Sequence, residues 1–196
     1  MQSNLSSLLI PSLELETQSF GRRSLLPLRQ STLWKIETGV VRTITWLEDG
    51  TVVTLGLWGT EDIVGRSLST MEPYQIECLT PVKAIPISLG SWLPDLTLLL
   101  AHIQQSETFL LIRGHKRVED MLLKLLAWLS KRFGREVEQG HLIELRLTHQ
   151  DLAELLGTTR VTITRVLSQF EQQGIVERLP QHLTLLKSTE VWHYEI

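Results

Sequence analysis

Between Thr158 and Arg165 the chain reads TTRVTITR, and no acidic residue occurs from 158 to 169. These residue types suit an edge of duplex DNA. A guanidinium can pair bidentately with guanine O6 and N7, valine and threonine methyls can meet the thymine methyl, and threonine hydroxyls can hold phosphate oxygens. A helix starting here would add the attraction of its own N-terminus for a phosphate. A merely solvated helix face would also be built from threonine and arginine, so the flanking elements have to decide between the two.

Those elements are read from LTHQDLAELLGTTRVTITRVLSQFEQQGIVERL, residues 147–179. THQD predicts a helix N-terminus of capping-box type. The Thr148 oxygen would accept an orphan backbone N–H, and Asp151 would sit in the favourably positive first turn. Leu152, Ala153, Leu155 and Leu156 supply an apolar face. Gly157 stops the helix, because a residue without Cβ enters the left-handed region of a sharp turn at little cost. A second helix is predicted from about Thr159 to Gln173, ending at Gly174, with Ile163, Val166, Leu167 and Phe170 buried. A small residue where helices cross, a turn glycine and two apolar anchors form the spacing of a helix-turn-helix. GIVERLPQHLTLL, residues 174–186, reads as two short strands around Pro180, a wing. The surface offered to DNA would then comprise Thr148, His149, Gln150, Thr158, Thr159, Arg160, Val161, Thr162, Thr164 and Arg165.

Composition limits the alternatives. The 196 residues are 42% hydrophobic, ample for a core, and the net charge of −3 means that any basic surface is local. The single cysteine, Cys78, excludes an internal disulfide, a four-cysteine zinc site and a cysteine-ligated iron–sulfur cluster within one chain. The first histidine is His102, so a metal oxygenase built on inward-pointing histidines of the first half has no ligands. No enzyme, cofactor or metal is therefore expected. Cys78 itself reads as a small core residue. The first residues, MQSNLSSLLIPSLELE, lack a cationic stretch before an apolar run, and no apolar segment approaches the roughly 20 residues that span a bilayer. The expected location is the cytoplasm, with no membrane partner.

From Leu33 to about Ile87 the pattern is that of short strands broken by glycine or proline, which suggests a compact antiparallel β-roll or barrel. Glu48 to Gly50 is the clearest hairpin turn, since Asp-Gly readily supplies positive φ. After Pro94 the period becomes helical. Leu96, Leu99, Ile103, Ser106 and Leu110 recur at steps of three and four, one apolar stripe interrupted by a serine. That stripe can seat the helix on its own roll or form a parallel seam with a second copy. Gly114 breaks the helix, and a second amphipathic pattern runs from about Lys116 to Phe133 with Val118, Met121, Leu122, Leu125, Leu126 and Leu129 as its apolar face.

On these residues the chain resembles the CRP/FNR family of bacterial transcription regulators. The resemblance is strongest over residues 134–186, where LTHQDLAELLGTTRVTITRVLSQFEQQGIV looks most like the cyanobacterial global nitrogen regulator type. It implies an α+β fold with an N-terminal antiparallel β-roll of the cyclic-nucleotide-binding jelly-roll kind (1–92), a long dimerisation helix (93–114) and a C-terminal winged helix-turn-helix (115–196). It further implies a homodimer through Leu96, Leu99, Ile103, Ser106 and Leu110, double-stranded DNA as partner, and RNA polymerase as a further one. Two recognition helices would meet successive major grooves of a palindromic site. Arg160, Val161 and Arg165 take the base-reading positions. Catabolite-activator members have a glutamate where Val161 stands, so GTA and TAC half-sites are expected rather than TGTGA.

The sensory half departs from the family pattern. Cyclic-nucleotide members carry Gly-Glu and Arg-Ser around ribose and phosphate, whereas here the pairs read Gly65-Arg66 and Glu72-Pro73. A glutamate in the phosphate position reverses the charge, and Pro73 removes a backbone donor. Both argue against cyclic AMP. The candidate effector pocket comprises Gly65, Arg66, Glu72, Tyr74, His102 and Glu107, with the effector itself unassigned. Two further readings stay open: a regulator without a small-molecule effector or controlled by a partner protein, and a β-roll ligand-binding or interaction protein that no longer binds DNA.

Overall fold

The computed structural model describes residues 16–90, 96–179 and 183–187. Its N-terminal strands form two antiparallel sheets. One orders β1 (Gln18–Phe20), β7 (Val82–Ser88), β2 (Thr32–Thr38) and β5 (Ile63–Val64); the other orders β4 (Val52–Trp58), β3 (Val41–Trp46) and β6 (Gln75–Cys78). Alternation along the strands turns one side chain set inward, and Trp34, Ile36, Val41, Trp58, Tyr74, Ile76 and Cys78 close a core between the sheets. The β3–β4 hairpin turns where expected. Gly50 takes φ +82°, and the Asp49 carboxylate accepts the Thr51 N–H at 2.8 Å.

Helix α1 (Leu96–Arg113) lies on this roll through Gln105, Phe109 and Ile112, one stripe at i, i+4 and i+7. Gln105 donates its side-chain amide to the Leu57 carbonyl. The opposite flank is open, with Leu96, Leu100, Ile103, Leu110 and Leu111 all more than half exposed. The expected stripe divides in the single chain: Leu96, Ile103 and Leu110 lie on the exposed face with Leu100 and Leu111, while Leu99 and Ser106 are half-buried.

After Gly114 comes α2 (Val118–Phe133), whose Met121, Leu122, Leu125, Leu126 and Leu129 are buried as the periodicity predicts. A hairpin of β8 (Gly134–Val137) and β9 (Gly140–Ile143) follows, unforeseen in the sequence reading. It begins at Gly134 because a Cβ there would meet the carbonyls of Leu142 and Ser130 at 2.6 Å. Then come α3 (His149–Leu156), α4 (Arg160–Gln172), β10 (Val176–Leu179) and β11 (Leu183–Lys187). The β10–β11 wing is not free-standing, since β11 pairs with β9 and the sheet order is β10-β11-β9-β8. Pro180, placed at the wing's turn by the sequence, lies outside the described residues.

The two halves share their interior. One continuous core runs from Val40, Leu57 and Leu79 of the roll through Phe109 and Ile112 to Leu152, Leu155 and Ile163. The glycine break at 114 changes the chain's direction without dividing the packing. No helix among the described residues is long and apolar enough to cross a membrane.

Candidate nucleic-acid interface

Local rules build the surface. Thr148 caps α3 as a full capping box: its hydroxyl oxygen accepts the Asp151 N–H at 3.1 Å, and Asp151 Oδ2 accepts the Thr148 N–H at 2.8 Å. Gly157 ends α3 in the left-handed region at φ 67°, ψ 38°. Thr159 then caps α4, its oxygen accepting the Thr162 N–H at 3.2 Å. Ile163, Val166, Leu167 and Phe170 are buried against α3 and α2, which sets the rotation of α4. That rotation turns Arg160, Val161, Thr164 and Arg165 outward, with Val161 78% exposed.

A polar relay joins the two helices to the wing. The Thr164 hydroxyl donates to the Arg160 carbonyl at 2.9 Å, so it accepts from His149 Nδ1–H at 2.8 Å. His149 Nε2 is left to accept from Arg178 Nη1 at 3.0 Å. Arg178 also makes a bidentate pair with Glu171, at 2.5 and 2.9 Å. Thr148, His149, Gln150, Arg160 and Arg178 line one open cavity of about 770 Å³ beside the outward face of α4.

Of the ten expected positions, Thr148, His149 and Gln150 lie at the start of α3 and Arg160, Val161, Thr162, Thr164 and Arg165 on the first two turns of α4. Thr158 is half-buried in the turn, its N–H bound to the Ala153 carbonyl at 2.9 Å. Arg165 reaches Glu119 of α2 at 3.3 Å, both groups substantially exposed. Arg178 and Glu171 complete the surface and were not anticipated; no motif marks an arginine on a wing strand.

Part of this half's acidic charge is taken up in ion pairs. Acidic residues of this half face arginines: Glu171 meets Arg178, Asp151 meets Arg23 at 2.7 Å, and Glu154 meets Arg42 at 2.6 Å. Burial raises the Asp151 carboxyl, but the Thr148 N–H and the Arg23 guanidinium outweigh it and hold the group below the usual range. Arg160 has no ion-pair partner among the described residues and remains available at the surface.

Comparison with known proteins agrees with this architecture. Residues 116–190 match the Crp-like helix-turn-helix domain. The chain is 43% identical over 161 residues to the regulatory protein CysR of Synechococcus elongatus, covering 81% of this chain and 78% of that protein. The chain belongs to the CRP/FNR family of transcription regulators. It is 29% identical to the global nitrogen regulator of Synechocystis sp. over 75% of this chain and 72% of that one. TTHB099, a CRP-family regulator of Thermus thermophilus, superposes with a TM-score of 0.77 at 18% identity, over 90% of this chain and 95% of its own. As a family member the chain is a DNA-binding transcription regulator, and its relatives are regulators rather than enzymes.

The six positions of the candidate effector pocket do not assemble as a single binding set. Arg66 donates to the Ser69 carbonyl at 2.6 Å and to Glu72 at 2.8 Å, and its guanidinium lies 5.8 Å from the Tyr74 ring centroid. Gly65 is needed for packing, since a Cβ there would meet Leu33 at 2.6 Å and the Thr32 carbonyl at 3.0 Å. Burial pushes the Tyr74 phenol well up. His102 lies elsewhere, stacked on Trp58 at 3.9 Å and bound to the Ile63 carbonyl at 3.1 Å, and burial lowers its ring pKa. Glu107 is exposed on α1. Cys78 is fully buried and burial raises its thiol, in keeping with a core residue.

Proposed function

We propose that this regulator acts as a homodimer joined along the exposed stripe of α1, and that it binds a palindromic operator with GTA- and TAC-type half-sites. Arg160, Val161 and Arg165 read the bases, and Thr148, Gln150, Thr162 and Thr164 hold the backbone. RNA polymerase would be met from the operator-bound state. The observation that carries this reading is the outward face of α4, where a 78% exposed Val161 stands between two arginines and no acid is present on the helix's first three turns. A valine contacts a thymine methyl but cannot accept from cytosine N4, which favours the nitrogen-regulator type of half-site.

The test is binding to a synthetic palindromic duplex. Arg160→Ala and Arg165→Ala should each lose about 1–3 kcal/mol per half-site contact, with relaxed sequence preference. Parent-like binding by both variants would show that α4 does not read the site.

Cyclic AMP is not the effector in this reading, and the second reading, a regulator without a small-molecule effector or under a partner protein, is favoured by one feature. The roll interior is occupied by Trp34, Trp58 and Tyr74, and Arg66 is already neutralised by Glu72.

A further inference from the structure

The roll and α3 are joined by a chain of alternating charges that the family assignment does not explain. Asp151, Arg23, Glu77, Arg42 and Glu154 follow one another at 2.7, 3.1, 2.6 and 2.6 Å. Arg42 stands on the central strand of its sheet, directly across from Glu77, with its side chain only 6% exposed. A guanidinium so buried is a poor source of stability, because desolvation offsets much of the ion-pair attraction; its geometry, however, is highly specific. Arg23, its side chain 40% exposed, is fixed instead at its backbone. Its backbone takes φ +66°, a conformation unusual for a residue with a Cβ, and its N–H is fixed to the Cys78 carbonyl at 2.7 Å.

The two acids of α3 divide their oxygens in the same way. Asp151 turns Oδ1 to Arg23 of the roll and Oδ2 to the Thr148 N–H and hydroxyl, each at 2.8 Å. Glu154 turns Oε2 to Arg42 and Oε1 to the Gln150 side chain at 2.7 Å. Two parallel relays result, Arg23–Asp151–Thr148 and Arg42–Glu154–Gln150, each starting in the roll and ending at the outer end of α3.

We infer that Arg23 and Arg42 are positioning residues for DNA binding: through Asp151 and Glu154 the roll sets the orientation of Thr148 and Gln150 toward the DNA backbone. The inference rests on the reading of those two residues as backbone contacts. It gives the roll a route to the DNA surface that needs no ligand, since any shift of β3 against β6 is carried into α3 by two rigid guanidinium forks.

The experiment uses the full chain, a synthetic palindromic duplex with GTA and TAC half-sites, and a non-specific duplex of equal length. Arg42→Met should weaken both duplexes by about fivefold per half-site, the size of one lost hydrogen bond, and leave their ratio unchanged. The dependence of affinity on salt should also stay the same, because neither Arg42 nor Gln150 delivers a charge to a phosphate. Gln150→Ala should show a similar loss, and adding Arg42→Met to it should cost nothing more, as expected of groups acting in series. Arg42→Lys should recover only part of the loss, because one ammonium cannot copy a fork that engages two carboxylates. Multiplying effects in the double variant, a reduced salt dependence, or parent-like binding by Arg42→Met would overturn the proposal. Should Arg42→Met fold poorly, Glu154→Gln makes the same cut at the other end of the pair. If Gln150→Ala and Thr148→Val bind as the parent does, the backbone-contact reading fails instead. Hydrogen exchange of the protein alone then decides the linkage: faster exchange over residues 149–154 in Arg42→Met supports it, and unchanged exchange sinks it.

Discussion

The face of α4 and the interior of the roll treat polar groups in opposite ways. On α4, Arg160 has no ion-pair partner among the described residues and Val161 lies in solvent, so these two side chains are open to contact. On the roll's surface Arg66 is engaged by Glu72 and the Ser69 carbonyl, His102 of α1 is held by Trp58 and the Ile63 carbonyl, and the middle of the roll is filled by tryptophan. A surface awaiting a partner and a core already closed on itself are distinguished by where their hydrogen-bonding capacity goes. The difference teaches that control of DNA binding does not have to begin with a ligand in the roll.

The sharpest way to break this comparison is to open the roll. Trp58 is 2% exposed, donates its Nε1–H to Thr43 at 3.1 Å and covers His102, so Trp58→Ala should cost about 3–5 kcal/mol of stability in chemical denaturation. A loss below about 1 kcal/mol would mean a loosely packed interior with room for an effector. Ligand titration sharpens the same contrast. An operator duplex at about 100 times its Kd should raise stability by roughly 2.7 kcal/mol, whereas cyclic AMP and cyclic GMP should leave the melting temperature in place. A clear shift with either nucleotide would return the roll to a sensory role.

Asp151 gives a smaller effect with a distinct pH signature. Its folded carboxyl lies below the ordinary aspartate value of 3.8, so the stability it contributes is full above that value and is lost as pH falls through the folded pKa. Asp151→Asn should cost about 1–2 kcal/mol near neutrality, through the weakened cap and the lost pair with Arg23. It should also flatten the acid limb of the stability curve below about pH 4. An unchanged acid limb would mean that neither the Thr148 N–H nor Arg23 holds the Asp151 carboxylate in solution.

What could be read from the sequence was local. Thr148, Asp151, Gly157 and Thr159 act within three or four residues of themselves, and the capping box and left-handed turn appear as the residue types demand. The buried stripes of α2 and α4 followed from period alone. Pairings between distant parts of the chain were not legible. Arg23 and Asp151 are 128 positions apart and Arg42 and Glu154 are 112, and no spacing rule connects them. On α1 the expected stripe divides between two faces, because Phe109 and Ile112 form a second apolar stripe that decides the helix's rotation on the roll and leaves Leu99 and Ser106 half-buried. Three-residue β1 depends on β7 far along the chain, and the β8–β9 hairpin, although local, has strands of only four residues whose outer edge at β9 is taken by distant β11.

The smallest effect falls at Arg66, and it tests the closed side of the comparison directly. Sequence alone placed Arg66 in the candidate effector pocket, whereas the structure gives its guanidinium to a glutamate six residues on, the two side chains being 26% and 78% exposed. A pair with so exposed an acid is heavily screened, so Glu72→Gln should change stability by no more than about 0.5 kcal/mol. The useful readout is what Glu72→Gln releases. With its carboxylate partner gone, Arg66 still donates to the Ser69 carbonyl and stays beside the Tyr74 ring, so it should not capture cyclic AMP even at millimolar concentration. If Glu72→Gln binds cyclic AMP and the parent does not, a single glutamate has been holding shut a pocket that is otherwise intact, and the roll is closed by charge rather than by packing.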